Sequence, residues 1–196
     1  FIISNGSNKI KLEQSTFEDC SNFLVCENYN DANDITIENN KFQNCAGLVL
    51  YLGNDDRALF NHNFVIIEKI AAFNDLENSV IEKTMFWLVN ANISNSIFMD
   101  KMIPEVKKDL FTRTYSMSFI NSEKNIENCT FIGLKSSITG DNFINCYFKD
   151  CTNCVNRYFK AKSNINNCTF VNCTNIANYL SSDNVAIKNS QFIDCY

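Results

Sequence analysis

A short motif recurring at irregular intervals constrains this chain more than any other feature. Phe17, Phe42, Phe64, Phe98, Phe131, Phe148, Phe170 and Phe192 each end the same local pattern. Five residues before them stand Leu12, Ile37, Leu59, Ile93, Ile126, Phe143, Ile165 and Ile187, all apolar. Three before stand Gln14 and then Asn39, Asn61, Asn95, Asn128, Asn145, Asn167 and Asn189. Two before stand Ser15, Asn40, His62, Ser96, Cys129, Cys146, Cys168 and Ser190, mostly small. Three after stand Cys20, Cys45, Ile67, Lys101, Leu134, Cys151, Cys173 and Cys195. The copy around Phe64 fits least well, because His62 is bulky for its column, and Asn40 and Lys101 also depart from the pattern.

The anchors are 25, 22, 34, 33, 17, 22 and 22 residues apart. A helical repeat would hold its length and carry a 3.6-residue period. Here one face is fixed while the connections vary, as in a solenoid. Successive coils would pair as parallel strands about 4.8 Å apart. Each column then becomes a ladder, with Phe inside and Cys or Ser at tight corners. Only 5 Gly and 1 Pro are available for turning, so the chain must turn at Asn, which tolerates left-handed backbone. The Asn column is therefore expected at a bend between two sheets. There each amide would bond to the one above and the one below, within a buried ladder. The expected fold is all-β, a right-handed parallel β-helix of about eight irregular coils over residues 1–196, with a short helix in one inserted loop.

The units NIENCTF (125–131), NFINCYF (142–148), NINNCTFVNC (164–173) and VAIKNSQFIDC (185–195) resemble repeats of the right-handed β-helix, pectin-lyase-like superfamily, of the adhesin-like type. The resemblance covers nearly the whole chain. It implies architecture rather than one activity, since the superfamily holds polysaccharide lyases and hydrolases as well as tailspikes and adhesins. The five-residue rhythm of Cys146, Phe148 and Cys151 also resembles a pentapeptide-repeat helix, but it lapses after two steps.

Two adjacent intervals are about 12 residues longer than the commonest one of 22. They contain the insert loops 67–84 and 101–116. Ile67, Ile70, Ala71, Phe73, Leu76, Val80 and Ile81 suit an amphipathic helix in the first. Loops on a rigid scaffold are where binding concentrates. Trp87, Lys107, Lys108, Arg113 and Tyr115 are therefore the candidate binding residues, for a carbohydrate or protein ligand at the insert loops.

No catalytic, cofactor or metal residue is assigned. The resemblance implies that a lyase would need acidic calcium ligands and a base, and a hydrolase clustered aspartates; none of the family's hydrolase signature runs is present. His62 falls in the small column and reads as a packed or corner histidine. Asp55, Asp56 and Arg57 read as a solvated turn. Cys151 and Cys154 form a C-x-x-C, but the columns repeat each thiol at one depth, which favours packing over zinc or disulfides. A net charge of −5 with three arginines argues against nucleic acid. No apolar run reaches the roughly 18 residues of a membrane span.

The chain starts at Phe1 and is expected to be a fragment of a longer protein, its coils continuing into further coils or a neighbour. Sequons occur at Asn5, Asn92, Asn128, Asn167 and Asn172. Two of these lie in the expected buried ladder, where a glycan would block folding. The expected location is extracellular or cell-surface, with an intracellular one left open by the free thiols. The expected function is a non-enzymatic structural or adhesin-like shaft presenting a binding surface. The alternative is a carbohydrate-active β-helix, a polysaccharide lyase or hydrolase, whose catalytic face lies partly outside this fragment.

Overall fold

The computed structural model describes residues 3–4, 9–28, 34–52, 57–67, 84–89, 91–101, 118–121, 124–134, 137–156, 163–178 and 185–196. They form three eight-stranded, all-parallel sheets, and each coil contributes one strand to each sheet in turn. Sheet I runs from Lys9–Glu13 through Asp34–Glu38, Arg57–Asn61, Ala91–Ser94, Asn125–Glu127, Asn142–Ile144 and Ser163–Asn166 to Val185–Lys188. Sheet II runs from Thr16–Glu18 through Lys41–Gln43, Phe64–Ile67, Ile97–Asp100, Thr130–Ile132, Tyr147–Lys149 and Thr169–Val171 to Gln191–Ile193. Sheet III runs from Ile3–Ser4 through Ser21–Asn28, Ala46–Leu52, Thr84–Val89, Ser118–Asn121, Ser137–Thr139 and Val155–Asn156 to Ala177–Asn178. The fold is a parallel β-helix solenoid of eight coils. The helix expected within 67–84 falls on residues 68–83, outside the described residues.

Two residues between sheets I and II make the first corner, and its geometry explains the Asn column. Gln14, Asn39, His62, Asn95, Asn128, Asn145, Asn167 and Asn189 all have φ between 49° and 56°. That left-handed region costs most side chains about 1–2 kcal/mol, and Asn visits it most readily. The backbone ladder passes through the corner unbroken. Asn145 N–H donates to the Asn166 carbonyl one coil on, and Tyr147 N–H donates back to the Cys129 carbonyl. A second corner, after sheet II, repeats the device two residues past the Phe column. Asp19, Asn44, Gly133, Asp150, Asn172 and Asp194 there also have positive φ.

The interior is a stack of phenyl rings. Phe42, Phe98, Phe131, Phe148 and Phe170 are fully buried. Ring centroids lie 5.2 Å apart for Phe17 and Phe42, 4.8 Å for Phe131 and Phe148, and 4.6 Å for Phe148 and Phe170. The strand interval sets that spacing, and each buried ring contributes roughly 1.5–3 kcal/mol.

The third coil departs from the expected alignment by one residue. Val65, not Phe64, pairs with Phe42 below and Phe98 above. Phe60, not Leu59, stands between Ile37 and Ile93. The turn residue is His62 rather than Asn61, and the corner residue after it is Asn63. A one-residue slip turns every side chain to the other face, so Leu59 is 37% exposed while Phe60 and Val65 are fully buried. Packing compensates for the smaller Val65: the Phe60 ring enters the stack from sheet I, 6.0 Å from Phe42 and 5.8 Å from Phe98.

The Asn rungs bond as expected but are not buried. Asn145 Nδ2 donates to Asn128 Oδ1 at 3.1 Å and Asn167 Nδ2 donates to Asn145 Oδ1 at 2.7 Å, all three side chains being exposed. The expectation that glycans at Asn128 or Asn167 would occupy the interior is therefore overturned. The Asn145→Ala variant should lose about 1–2 kcal/mol, chiefly from forcing alanine into left-handed backbone. Asn145→Gly and Asn145→Asp should each cost less, while Asn92→Ala, on an exposed strand position, should stay within about 0.5 kcal/mol. Urea denaturation of the four variants checks the order. Equal loss at positions 92 and 145 would contradict the corner's role.

Candidate functional site

The residues proposed for ligand binding divide in two. Trp87 lies in the sheet III strand Thr84–Val89, in register with Val49 on one side and Asn121 on the other. Lys107, Lys108, Arg113 and Tyr115 lie outside the described residues, as do 68–83 and 102–116 of the insert loops, and Asp55 and Asp56. Of the five candidates, only Trp87 is therefore placed on a described strand.

The described structure gathers a different polar group instead, at the first corner of the second to fourth coils. His62 is exposed, its side chain retaining 56% of its accessible surface, because it occupies the outward turn position. Of the packed and corner readings of His62 the corner one stands, but in the outward turn position rather than the small column, with the one-residue shift as the cause. Its Nδ1 lies 2.7 Å from Asn61 Nδ2 and 3.8 Å from Glu38 Oε1. Asn61 Nδ2 also donates to Glu38 Oε1 at 2.6 Å. Asn61 Oδ1 accepts from Ser94 Oγ at 3.0 Å and Asn95 Nδ2 at 2.8 Å. Glu38, Asn61 and Ser94 are successive rungs of one outer row of sheet I. The cluster therefore offers a solvent-facing imidazole beside a carboxylate, with Asn61 held by four polar neighbours. Sequence reasoning missed it by one residue. The usable signal was Asn63, which matches Asn40 in the small column as His62 does not.

A second feature lies on the outer face of sheet I. Asn142 Nδ2 donates to Asn125 Oδ1 at 2.7 Å, and Asn164 Nδ2 to Asn142 Oδ1 at 2.8 Å. With the corner rungs Asn128, Asn145 and Asn167, these make two parallel amide rows three residues apart along the chain. A ladder amide uses one N–H and one oxygen lone pair, leaving its other donor and acceptor capacity for solvent or a ligand.

The cysteines do more than fill corners. Cys146 Sγ donates to the Ile126 carbonyl of the previous coil at 3.3 Å and to the Ile144 carbonyl two residues earlier at 3.4 Å. Cys168 and Cys151 do the same to Phe143 and Phe131 one coil earlier, each at 3.5 Å. Asn40 and Asn63 close the equivalent carbonyls of Leu12 and Ile37, both at 2.8 Å. Ser15, Ser96 and Ser190 donate to the carbonyl two residues back. The column thus requires a small donor, which is why Cys, Ser and Asn interchange there. The nine described cysteines are free thiols. Among the described residues, no group of three or more His, Cys, Asp or Glu is arranged to hold a metal ion, and no helix is long and apolar enough to cross a membrane.

Comparison with protein-family models, curated proteins and solved structures finds no significant match to this chain.

Burial pushes the Cys45 and Cys129 thiols up to about 12 from an ordinary value of 9.0. A thiol is neutral when protonated, so between about 9 and 12 the folded chain binds more protons than the unfolded one. Their contribution is intact below pH 9 and is lost as the pH rises through that window. Melting temperature should therefore fall steadily from pH 9 upward, and Cys129→Ser should make the slope shallower. Thermal unfolding followed by circular dichroism across this range checks it; a flat profile would contradict burial of these thiols.

Proposed function

We propose that this chain is a shaft of the pectin-lyase-like superfamily, adhesin-like and non-enzymatic, working outside the cell or on its surface. The observation that carries the proposal is the continuity of its outer rows. Backbone pairing follows one another through eight coils. The outward amides of Asn125, Asn142 and Asn164, and of Asn128, Asn145 and Asn167, form repeating rungs rather than a single catalytic pocket. Such a surface suits an extended ligand met at many equivalent points. Carbohydrate hydroxyls pair well with donor and acceptor groups of this kind; Trp87, on sheet III, and Lys107, Lys108, Arg113 and Tyr115, in the insert that follows sheet II, are a separate candidate contact surface.

One observation favours the carbohydrate-active alternative. His62 stands exposed beside Glu38, and imidazole with carboxylate is a pairing that general acid–base chemistry uses.

A glycan array probed with the purified chain should show binding to a restricted set of polysaccharides without turnover. Trp87→Ala and a combined Lys107→Ala, Lys108→Ala variant should weaken that binding. Release of unsaturated or reducing sugar ends, abolished by His62→Ala, would instead establish the enzymatic reading. Retention of full binding by both variants would exclude Trp87 and the insert-loop lysines from the site.

A further inference from the structure

The imidazole of His62 stands against an amide whose direction is fixed. Asn61 is 9% exposed and uses every hydrogen-bonding position it has. Its Nδ2 lies 2.6 Å from Glu38 Oε1 and 2.7 Å from His62 Nδ1. Its Oδ1 accepts from Ser94 Oγ at 3.0 Å and from Asn95 Nδ2 at 2.8 Å. A side-chain amide has two N–H donors and one oxygen with two lone pairs, so these four contacts fill it.

Glu38 decides which end of the amide faces the ring. A carboxylate only accepts, so the Asn61 atom 2.6 Å from it is the nitrogen. The opposite orientation would set two oxygens against each other at that distance. The direction also agrees with the neighbouring rungs. Asn95, one coil later, donates down to Asn61, and Asn61 donates down to Glu38. Glu38 Oε1 and His62 Nδ1 stand 3.8 Å apart, in different directions from Nδ2. Each therefore takes one of its two hydrogens.

From this geometry we infer that Asn61 is a positioning residue: it holds neutral His62 in the tautomer protonated on Nε2, so that the ring offers a hydrogen-bond donor to a ligand at the first corner. To accept the Asn61 hydrogen, Nδ1 has to keep its lone pair. A neutral imidazole carries one N–H, and the hydrogen bond at one nitrogen sets the state of the other. The proton is therefore on Nε2. His62 keeps 56% of its side-chain surface. Among the described residues, its Nε2 has no hydrogen-bond partner.

The proton's place sets the class of ligand. An outward N–H meets an acceptor oxygen, and the carboxylate beside the ring favours a neutral one, such as a sugar hydroxyl, over an anion. A neutral imidazole can also polarise a substrate oxygen through this hydrogen. In any turnover at this corner His62 would then be the donor, and the base would be another group. The choice of a sugar oxygen rests on the carbohydrate reading above, whereas the tautomer does not.

His62 is the single histidine of the chain, so nitrogen-15 labelling at histidine gives one pair of ring nitrogens to read by nuclear magnetic resonance. On the alkaline side of the imidazole titration, Nε2 should carry the hydrogen and Nδ1 should not. Their shifts should lie further apart than in free histidine, where the two tautomers average. Uniform labelling should add a coupling between His62 Nδ1 and Asn61 Nδ2 across the hydrogen bond. Asn61→Ala should remove that coupling and bring the shifts toward the free-histidine average, whereas Asn92→Ala should leave them in place. A hydrogen on Nδ1, averaged shifts in the unsubstituted chain, or shifts that Asn61→Ala does not move would overturn the inference. The unsubstituted chain decides this even if Asn61→Ala does not fold. The spectrum is read without ligand, so a chain that binds no carbohydrate and a chain with the other tautomer are separate results.

Discussion

The left-handed turn between sheets I and II sets the terms for everything else in this solenoid. It must recur in every coil at the same height, or the next strand leaves the register of the one below. Its eight residues hold φ between 49° and 56°, a narrow range for a conformation that side chains with a Cβ resist. Asn meets the demand and adds a rung. On the outer surface these bonds run one way, with the later coil donating to the earlier. Asn145 donates to Asn128, Asn167 to Asn145 and Asn172 to Asp150. A carboxylate can only accept, so it fits where a later amide donates down to it. Asp19 beneath Asn44, Glu38 beneath Asn61 and Asp150 beneath Asn172 all obey that rule.

Inside the corner a different constraint operates. The sharp bend leaves the carbonyl of the last inward residue facing the interior, where an unpaired acceptor costs about 1–3 kcal/mol. A side chain from the next coil closes it: Asn40 on Leu12, Asn63 on Ile37, Cys146 on Ile126 and Cys168 on Phe143. The thiol is the weakest donor of the set and the most apolar, so it joins the hydrophobic core while it caps the carbonyl. Corner capping and ring stacking are consequently linked. Capping fixes the strand, and the strand delivers the next phenyl ring at an interval close to the stacking distance.

Much of this was legible in the residues. The Phe, Asn and small columns identified coils and corners because each answers to one physical demand repeated eight times. What the pattern concealed was the third coil. Leu59 and Phe60 are both apolar, and Phe64 imitates the Phe column, so hydrophobicity alone placed the frame one residue early. Only the combined demand for a turn residue at His62, a corner donor at Asn63 and an inward side chain at Val65 selects the true frame. The second corner, with Asp19, Asn44, Gly133, Asp150 and Asn172, was overlooked because three residue types share its backbone conformation. The exposure of the Asn rungs was also misjudged: a residue that turns outward in left-handed backbone points its amide at solvent while its neighbours face the core. The His62 cluster followed from the frame error, and Trp87 could be placed on a strand only once the sheet order was known.

The third coil is also where the account is most open to contradiction, because its frame rests on in-register stacking rather than on matching residue types. Through-space proton contacts by nuclear magnetic resonance, on chain labelled at Val methyls and Phe rings, address it directly. The Val65 methyls should show contacts to the rings of Phe42, Phe60 and Phe98, and the Phe64 ring should show none to Phe42 or Phe98. Contacts from Phe64 to Phe42 and Phe98, with Val65 facing solvent, would contradict the corner-driven register.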